Sequence, residues 1–177
     1  DYERLRKENT DLISAMGLPF GLTHTEYKYR DGKFYLIETA ARGGGTKISS
    51  DIAKLVSGID CNRLLIKMLT GESDEIIKGE HHECAVLGFF DFKPGVITEI
   101  IGLEEALRQD GVHDLKLEVK AGDTLGEAQD DRSRCGYYIL YADSAKELED
   151  RERLLIMDAG FRLVKVIEDE GYSGEQI

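Results

Sequence analysis

The apolar positions at the start of the chain first follow a helical spacing and then a strand-like one. Residues 3–16 repeat apolar side chains every three to four positions, and Gly17 and Pro19 end that helix. Two strand-like runs follow at 22–29 and 33–40, and the Arg-Asp-Gly between them is a strong hairpin signal. The pattern therefore predicts a helix followed by a β-hairpin.

Two more helices are predicted after the hairpin. One covers 51–56, where Ser49 or Ser50 would cap the first turn. The other covers 61–70, with Asp60 as its cap and Gly71 at its end.

The polar segment 72–83 has no periodicity and is the predicted boundary between two domains, 1–80 and 81–177. Beyond it, strands are predicted at 84–92, 96–101, 114–120, 136–141 and 161–167, and helices at 103–109 and 145–158. Pro94-Gly95 predicts a tight turn between the first two of these strands, and Ser144 with Glu147 has the spacing of a capping box. The predicted fold class is α+β: an antiparallel sheet with flanking helices, followed by a small β-rich α+β unit.

Charge and composition exclude several classes of function. The 23 Lys and Arg against 35 Asp and Glu give a net charge of −12, so nucleic acid is not an expected partner. No apolar run is long enough to span a membrane, and we expect no signal peptide, because the first residues do not lead from a basic into an apolar segment. Cys61, Cys84 and Cys135 are scattered, which favours reduced thiols. We expect a cytoplasmic location, and we expect a longer polypeptide because Asp1 opens directly into a helix.

Glu26 and Glu38 lie in the two strands of the first hairpin, and the turn decides whether they face each other. With Asp31-Gly32 as a two-residue loop, the two carboxylates project from opposite faces and could not share a ligand. With Arg30 added to the loop and a bulge at Gly32, they share one face with His24 and Ala40 and lie diagonally across the two strands. The sequence alone leaves both geometries open.

Two carboxylates converging on one face would bind a divalent cation such as Mg²⁺, which takes carboxylate oxygens together with water and phosphate. The alternative is a pair of solvated glutamates on an exposed sheet. A transition-metal site at His24 and Glu26 lacks a third ligand at suitable spacing. The residues 81–84, His-His-Glu-Cys, are better explained as a charged surface segment, because adjacent side chains in extended chain point apart.

A basic and glycine-rich stretch follows the second strand. Arg42 could hold a phosphate or carboxylate with two parallel hydrogen bonds, and Gly43, Gly44 and Gly45 would let the backbone approach a ligand closely. The alternative is a flexible strand-to-helix connection.

Together, Glu26, the Asp-Gly hairpin and the run Phe-Tyr-Leu-Ile-Glu38-Thr-Ala-Ala-Arg42-Gly-Gly resemble the C-terminal lobe of the ATP-grasp ligases. The resemblance implies that Glu26 and Glu38 hold Mg²⁺, or Mn²⁺, against the phosphates of ATP. It also implies that Arg42 acts catalytically on the phosphate or acyl group, and that Gly43 and Gly44 line the nucleotide site. Ala40 stands where the family usually has asparagine, which removes one metal ligand.

The second unit is similar to the small domain that follows this lobe in amino-acid ligases and other carboxylate-amine ligases. Lys120-Ala-Gly-Asp123 resembles a family turn, and Ser133-Arg134-Cys-Gly-Tyr resembles a family strand start. The resemblance makes Arg134 a candidate nucleotide- or substrate-binding residue. A salt-bridged surface arginine is the alternative.

The function implied is that of part of an ATP-dependent carboxylate-amine ligase working through an acyl phosphate. Its partners would be a small carboxylate, an amine and the upstream part of the same polypeptide. Without that upstream part we expect this chain to be inactive. Whether the protein forms a homodimer stays open. The alternative is a ferredoxin-like regulatory domain that binds an amino acid or another small molecule, because the strand and helix order from Val96 onward is compatible with that fold.

Overall fold

The computed structural model describes residues 1–73, 75–127 and 134–156, and the backbone of 164–167. Within these residues the chain forms two compact units, Asp1–Gly79 and Glu80–Ile177. Both combine antiparallel strand pairs with flanking helices, so the predicted α+β class is confirmed.

Apart from residue 74, which is not described, the first unit consists of three α-helices, one π-helical turn and one hairpin. In chain order these are α1 (Tyr2–Ala15), β1 (His24–Arg30), β2 (Lys33–Ala40), the π-helical turn (Ile48–Ile52), α2 (Ala53–Ser57) and α3 (Cys61–Thr70). Among its described residues no hydrophobic side chain is fully buried. The packing of the helices around the hairpin therefore depends largely on caps, turns and half-buried contacts.

Local capping explains where α3 begins. Asp60 accepts a hydrogen bond from the backbone N–H of Arg63 at 3.0 Å, as the sequence predicts, and this bond holds the pKa of Asp60 below its usual value. The predicted serine cap of the preceding helix is wrong. Ser49 donates instead to the carbonyl of Gly44, and Ser50 donates to the carboxylate of Asp51. The chain enters that helix through the π-helical turn, which the sequence pattern does not predict.

In its described residues, the second unit contains two three-stranded sheets and two helices. Its elements are β3 (Cys84–Phe89), β4 (Gly95–Ile100), α4 (Leu103–Leu107), β5 (Val112–Leu117), β6 (Thr124–Leu125), β7 (Gly136–Ala142), α5 (Ala145–Ile156) and β8 (Val164–Ile167). The strand orders are β3-β7-β5 and β6-β4-β8. The predicted strand and helix ends at 161–163 and 157–158 lie outside the described residues.

Strand pairing corrects two expectations. The strands on either side of Pro94 belong to different sheets, so the predicted tight turn does not join a hairpin. A ferredoxin-like unit would need β4 beside β7 in one sheet. In the described residues β7 pairs with β3 and β5 instead, so the arrangement on which the regulatory alternative depended does not form.

The core of the second unit lies around β7. The aromatic ring of Tyr138 is almost fully buried, and it lies over Gly88, its direct partner on β3. A Cβ atom built on Gly88 would be 2.0 Å from that ring, so only glycine fits there. The Tyr138 hydroxyl donates to Glu152 of α5 at 2.7 Å, and burial, reinforced by this carboxylate, raises the pKa of Tyr138.

Capping also fixes the start of α5. The backbone N–H of Glu147 donates to the Ser144 hydroxyl at 3.2 Å, which confirms the predicted cap. The reciprocal bond is displaced by one residue, because the Glu147 carboxylate accepts from the N–H of Asp143.

Candidate functional site

The register of the first hairpin places two carboxylates directly opposite each other. Asp31 and Gly32 form a two-residue loop with φ angles of 51° and 71°, which are typical of a type I′ turn. The ladder is regular from the turn to the pair Tyr27–Leu36. It then shifts by one residue, because Ile37 has no partner, and the next pair is Glu26–Glu38.

This bulge changes the predicted relation between loop length and the faces of the two glutamates. The loop has two residues rather than three, and a regular ladder would therefore have put Glu26 and Glu38 on opposite faces. The unpaired Ile37 restores the shared face and makes the two glutamates direct rather than diagonal neighbours. The sequence signal for this bulge was the run Phe-Tyr-Leu-Ile, because four consecutive apolar residues break the alternation of a regular strand.

The two faces of the hairpin have different chemistry beside the bulge. The hydroxyls of Thr25 and Thr39 lie 2.9 Å apart on one face. On the other face, His24 pairs with Ala40 next to the two glutamates. The Glu26 side chain is 52% exposed and Glu38 is also exposed, so a ligand has access to both carboxylates.

Oxygen donors of this kind fit a magnesium ion that also carries water and phosphate ligands. Across the described ranges of the chain, no three His, Cys, Asp or Glu side chains converge in a way that could hold a metal ion. In the described residues, Glu26 and Glu38 thus offer a cation two carboxylates and no third His, Cys, Asp or Glu ligand.

Arg42 and the glycines lie directly beyond β2. Arg42 is exposed, and its guanidinium donates to the carbonyl of Gly43 at 3.0 Å, which leaves other N–H groups available to a ligand. Gly43 and Gly44 are half-buried, and a Cβ on either would lie within 3.0 Å of a neighbouring side chain. Both glycines therefore lie close to side chains of the protein itself. The predicted approach of this backbone to a ligand stays a prediction.

The end of the glycine loop is fastened to the π-helical turn. The N–H of Ile48 donates to the carbonyl of Gly45 at 3.0 Å. The hydroxyl of Ser49 donates to the carbonyl of Gly44 at 2.9 Å. Thr46 and Lys47 have positive φ angles of 45° and 63°, which non-glycine residues rarely adopt. The loop is therefore held in a specific conformation, which argues against a merely flexible connection.

Arg134 lies in the second unit, just before β7. Its guanidinium stacks on the ring of Phe89, with 3.6 Å from the central carbon to the ring centroid. In the turn that resembles the family's, Asp123 accepts a hydrogen bond from the N–H of Lys120 at 2.9 Å. Ser133, the other polar residue of the candidate strand start, lies outside the described residues.

In the segment 81–84, His81 and Glu83 are exposed, as expected of a charged surface segment, but His82 is not. His82 is only 18% exposed, stacks on Tyr141 with ring centroids 4.0 Å apart, and has Nδ1 3.0 Å from Asp143 Oδ1. It fastens the segment before β3 to the end of β7, which is a structural role.

Comparison with known proteins gives one family match. Residues 88–156 match the model of the L-amino acid ligase C-terminal domain 2. Uncharacterized protein y4rH of Sinorhizobium fredii is 26% identical over 143 residues, which cover 81% of this chain and 30% of that protein.

Two solved structures have a similar fold. Phosphoribosylglycinamide synthetase from Anaerococcus prevotii gives a TM-score of 0.72 at 16% identity, covering 94% of this chain and 42% of the other. L-amino acid ligase from Bacillus licheniformis gives 0.64 at 24% identity, covering 92% and 40%. The chain thus spans less than half the length of each of these proteins. In its described part, every helix is too short or too polar to cross a membrane.

Proposed function

We propose that this chain, an ATP-grasp ligase-like fragment by its fold and its family match, supplies the metal- and phosphate-binding side of an ATP-dependent carboxylate-amine ligase. The observation that carries the proposal is the direct pairing of Glu26 with Glu38 on an exposed face. Two facing carboxylates repel each other, and a divalent cation between them relieves that repulsion.

Each residue has a stated task in this proposal. Glu26 and Glu38 hold Mg²⁺, or Mn²⁺ in its place, and the ion neutralises phosphate charge when it is bound. Arg42 binds the transferred phosphoryl group or the acyl oxygen, and its fixed charge stabilises the transition state. Gly43 and Gly44 let the backbone lie close to the nucleotide.

The reaction class follows from the resemblance to ATP-grasp ligases. A small carboxylate attacks the γ-phosphate of ATP, ADP leaves, and an amine then displaces phosphate from the acyl phosphate to form an amide. Phosphoryl transfer depends chiefly on positioning and charge neutralisation, which the paired carboxylates and Arg42 are suited to supply. The L-amino acid ligase match over 88–156 supports amino acids as the substrate class. Arg134 remains a candidate nucleotide- or substrate-binding residue.

The rest of the nucleotide site is proposed to come from other parts of the same polypeptide. Without them we expect this chain to bind Mg²⁺-ATP weakly and to have no ligase activity. The location proposed for the working enzyme is the cytoplasm, where ATP and free amino acids are available.

The test is ADP formation by the full-length polypeptide, with ATP, Mg²⁺ and a mixture of amino acids. We expect Glu38→Gln to lower kcat by about 10²–10³. Asp31→Asn is the matched control, because it removes a carboxylate from the same hairpin at the turn, where asparagine is tolerated at positive φ. Wild-type turnover in Glu38→Gln, or equal losses in both variants, would contradict the proposal.

A further inference from the structure

His24 lies on the face of the hairpin that carries both glutamates, and the proposed function so far gives it no role. It is the first residue of β1 and pairs with Ala40, whose side chain is only a methyl group. The imidazole is therefore not crowded from across the ladder. Its side chain is 24% exposed, less than half the exposure of Glu26, so the ring is the more sheltered of the two groups.

One ring nitrogen contacts the candidate metal ligand. His24 Nε2 lies 3.2 Å from Glu26 Oε1, within hydrogen-bond distance. When Nε2 carries the proton, it donates to this oxygen and restricts rotation of the carboxylate. The other oxygen, Oε2, then stays available to a cation.

The opposite side of the ring faces the glycine loop. A Cβ built on Gly44 would lie 3.0 Å from His24 Nδ1 and 2.9 Å from Ile48 Cγ2. Gly44 does not have a positive φ, so the position needs glycine for closeness and not for backbone conformation. Because Ser49 holds the carbonyl of Gly44 at 2.9 Å, the imidazole packs between Glu26 and a fastened loop.

We propose that His24 is a positioning residue that fixes the Glu26 carboxylate relative to the glycine loop, so that the cation meets an oxygen already oriented. This inference rests on the proposed function. His24 itself is not a ligand in this scheme, because its Nε2 is engaged by Glu26 and Mg²⁺ prefers oxygen. Residues that orient a metal ligand in this way typically change metal affinity or activity by about 10–100-fold when mutated.

The experiment measures Mn²⁺ binding to the full-length polypeptide by electron paramagnetic resonance, with a non-hydrolysable ATP analogue present. Three variants separate the two sides of the ring. His24→Leu removes both nitrogens, His24→Gln keeps an amide near the place of Nε2, and His24→Asn keeps one near that of Nδ1. Thr25→Val is the control, since it removes a hydroxyl contact from the opposite face of the same strand.

We expect Mn²⁺ affinity to fall about 10–100-fold in His24→Leu and His24→Asn and to return to within a few-fold of wild type in His24→Gln. The Thr25→Val protein should bind as the wild type does. If His24→Leu does not fold, the Gln and Asn variants still give the comparison.

The positioning role would be overturned if all His24 variants bound Mn²⁺ with the wild-type affinity, or if His24→Gln and His24→Asn lost the same amount of affinity. Nitrogen hyperfine coupling from His24 to Mn²⁺ would also overturn it, because it would make His24 a ligand. In these cases Glu26→Gln still tests the metal site separately, because its loss of Mn²⁺ binding would leave the proposed function standing. A wild-type protein that binds no Mn²⁺-nucleotide would overturn both.

Discussion

Glu26 and Glu38 are direct cross-strand partners, although the two-residue turn between their strands would by itself have separated them onto opposite faces. The unpaired Ile37 is the residue that brings them together. Like charges directly opposite each other destabilise a sheet, so this pairing is unfavourable in the absence of a cation. Such a conflict between stability and local charge is characteristic of a functional site.

The repulsion between the two glutamates predicts a gain in stability when one charge is removed. Without divalent metal, Glu38→Gln should raise the free energy of unfolding by about 0.2–1 kcal/mol, because it removes the facing like charge. Urea unfolding in EDTA measures this. Glu149→Gln is the control for net charge, since it removes one exposed carboxylate from α5. A stability gain of equal size in both variants would show that net charge, and not the pairing, is responsible.

Arg42 should matter for turnover and not for folding. Its guanidinium is exposed, and the hydrogen bond it makes to the neighbouring carbonyl of Gly43 adds little stability. In the full-length polypeptide we expect Arg42→Ala to lower kcat by about 10²–10³ with an unchanged melting temperature. Arg42→Lys keeps the charge without the planar guanidinium, so its kcat should lie between those of the wild type and of Arg42→Ala. An Arg42→Ala protein with wild-type kcat would remove this residue from the mechanism.

The two adjacent glycines Gly44 and Gly45 offer a matched test of close packing. Gly44→Ala places a methyl group 2.9 Å from Ile48 and 3.0 Å from His24, and should lower the free energy of unfolding by about 1–3 kcal/mol. Gly45 has open space around it and no positive φ, so Gly45→Ala should be neutral or stabilise by about 0.4–1 kcal/mol. Chemical denaturation of both variants checks this, and equal effects would contradict the packing.

Gly88, the one glycine of β3, should tolerate no larger residue, because the Tyr138 ring lies 2.0 Å from where a Cβ would be. Gly88→Ala must displace a buried aromatic ring and should cost about 1–3 kcal/mol or more. Gly126, where a Cβ would meet nothing within 4 Å, is the control. Near-ultraviolet circular dichroism should report the displaced tyrosine, and an unchanged spectrum with unchanged stability would argue against this ring position.

Asp60 gives a prediction for pH. Its folded-state pKa is below the ordinary value of 3.8, chiefly because the N–H of Arg63 donates to it. The charged cap therefore contributes its full stabilisation above pH 3.8 and loses it as the pH falls through the lower folded-state pKa. Since the side chain is 41% exposed, solvent screening keeps the charge-dependent part small.

Two substitutions separate the cap from its charge. Asp60→Ala should cost about 1 kcal/mol at pH 7, whereas Asp60→Asn keeps a good capping group and should cost less. The stability difference between wild type and Asp60→Asn should shrink as the pH falls below 3.8, as unfolding curves over a pH series would show. A difference that stays constant across that range would mean that the carboxylate charge adds nothing.

Several elements followed from local sequence alone. The helix Cys61–Thr70, with Asp60 as its cap and Gly71 in a left-handed conformation, lies where its spacing and end residues predict. The hairpin, the candidate glutamates and the α+β class were accessible in the same way. These features depend on interactions within a few residues, so the chain's own pattern is sufficient to specify them.

Tertiary structure decided the rest. The β7 strand could pair with several others, and the sequence did not show that β3 and β5 would be its neighbours, because sheet order depends on contacts between distant segments. The shared face of Glu26 and Glu38 needed one unpaired residue in a ladder, a shift that costs little locally and reverses every side chain beyond it. The sequence by itself determined which acidic and basic groups are available; only the register of the folded hairpin determined that two of the acids face each other.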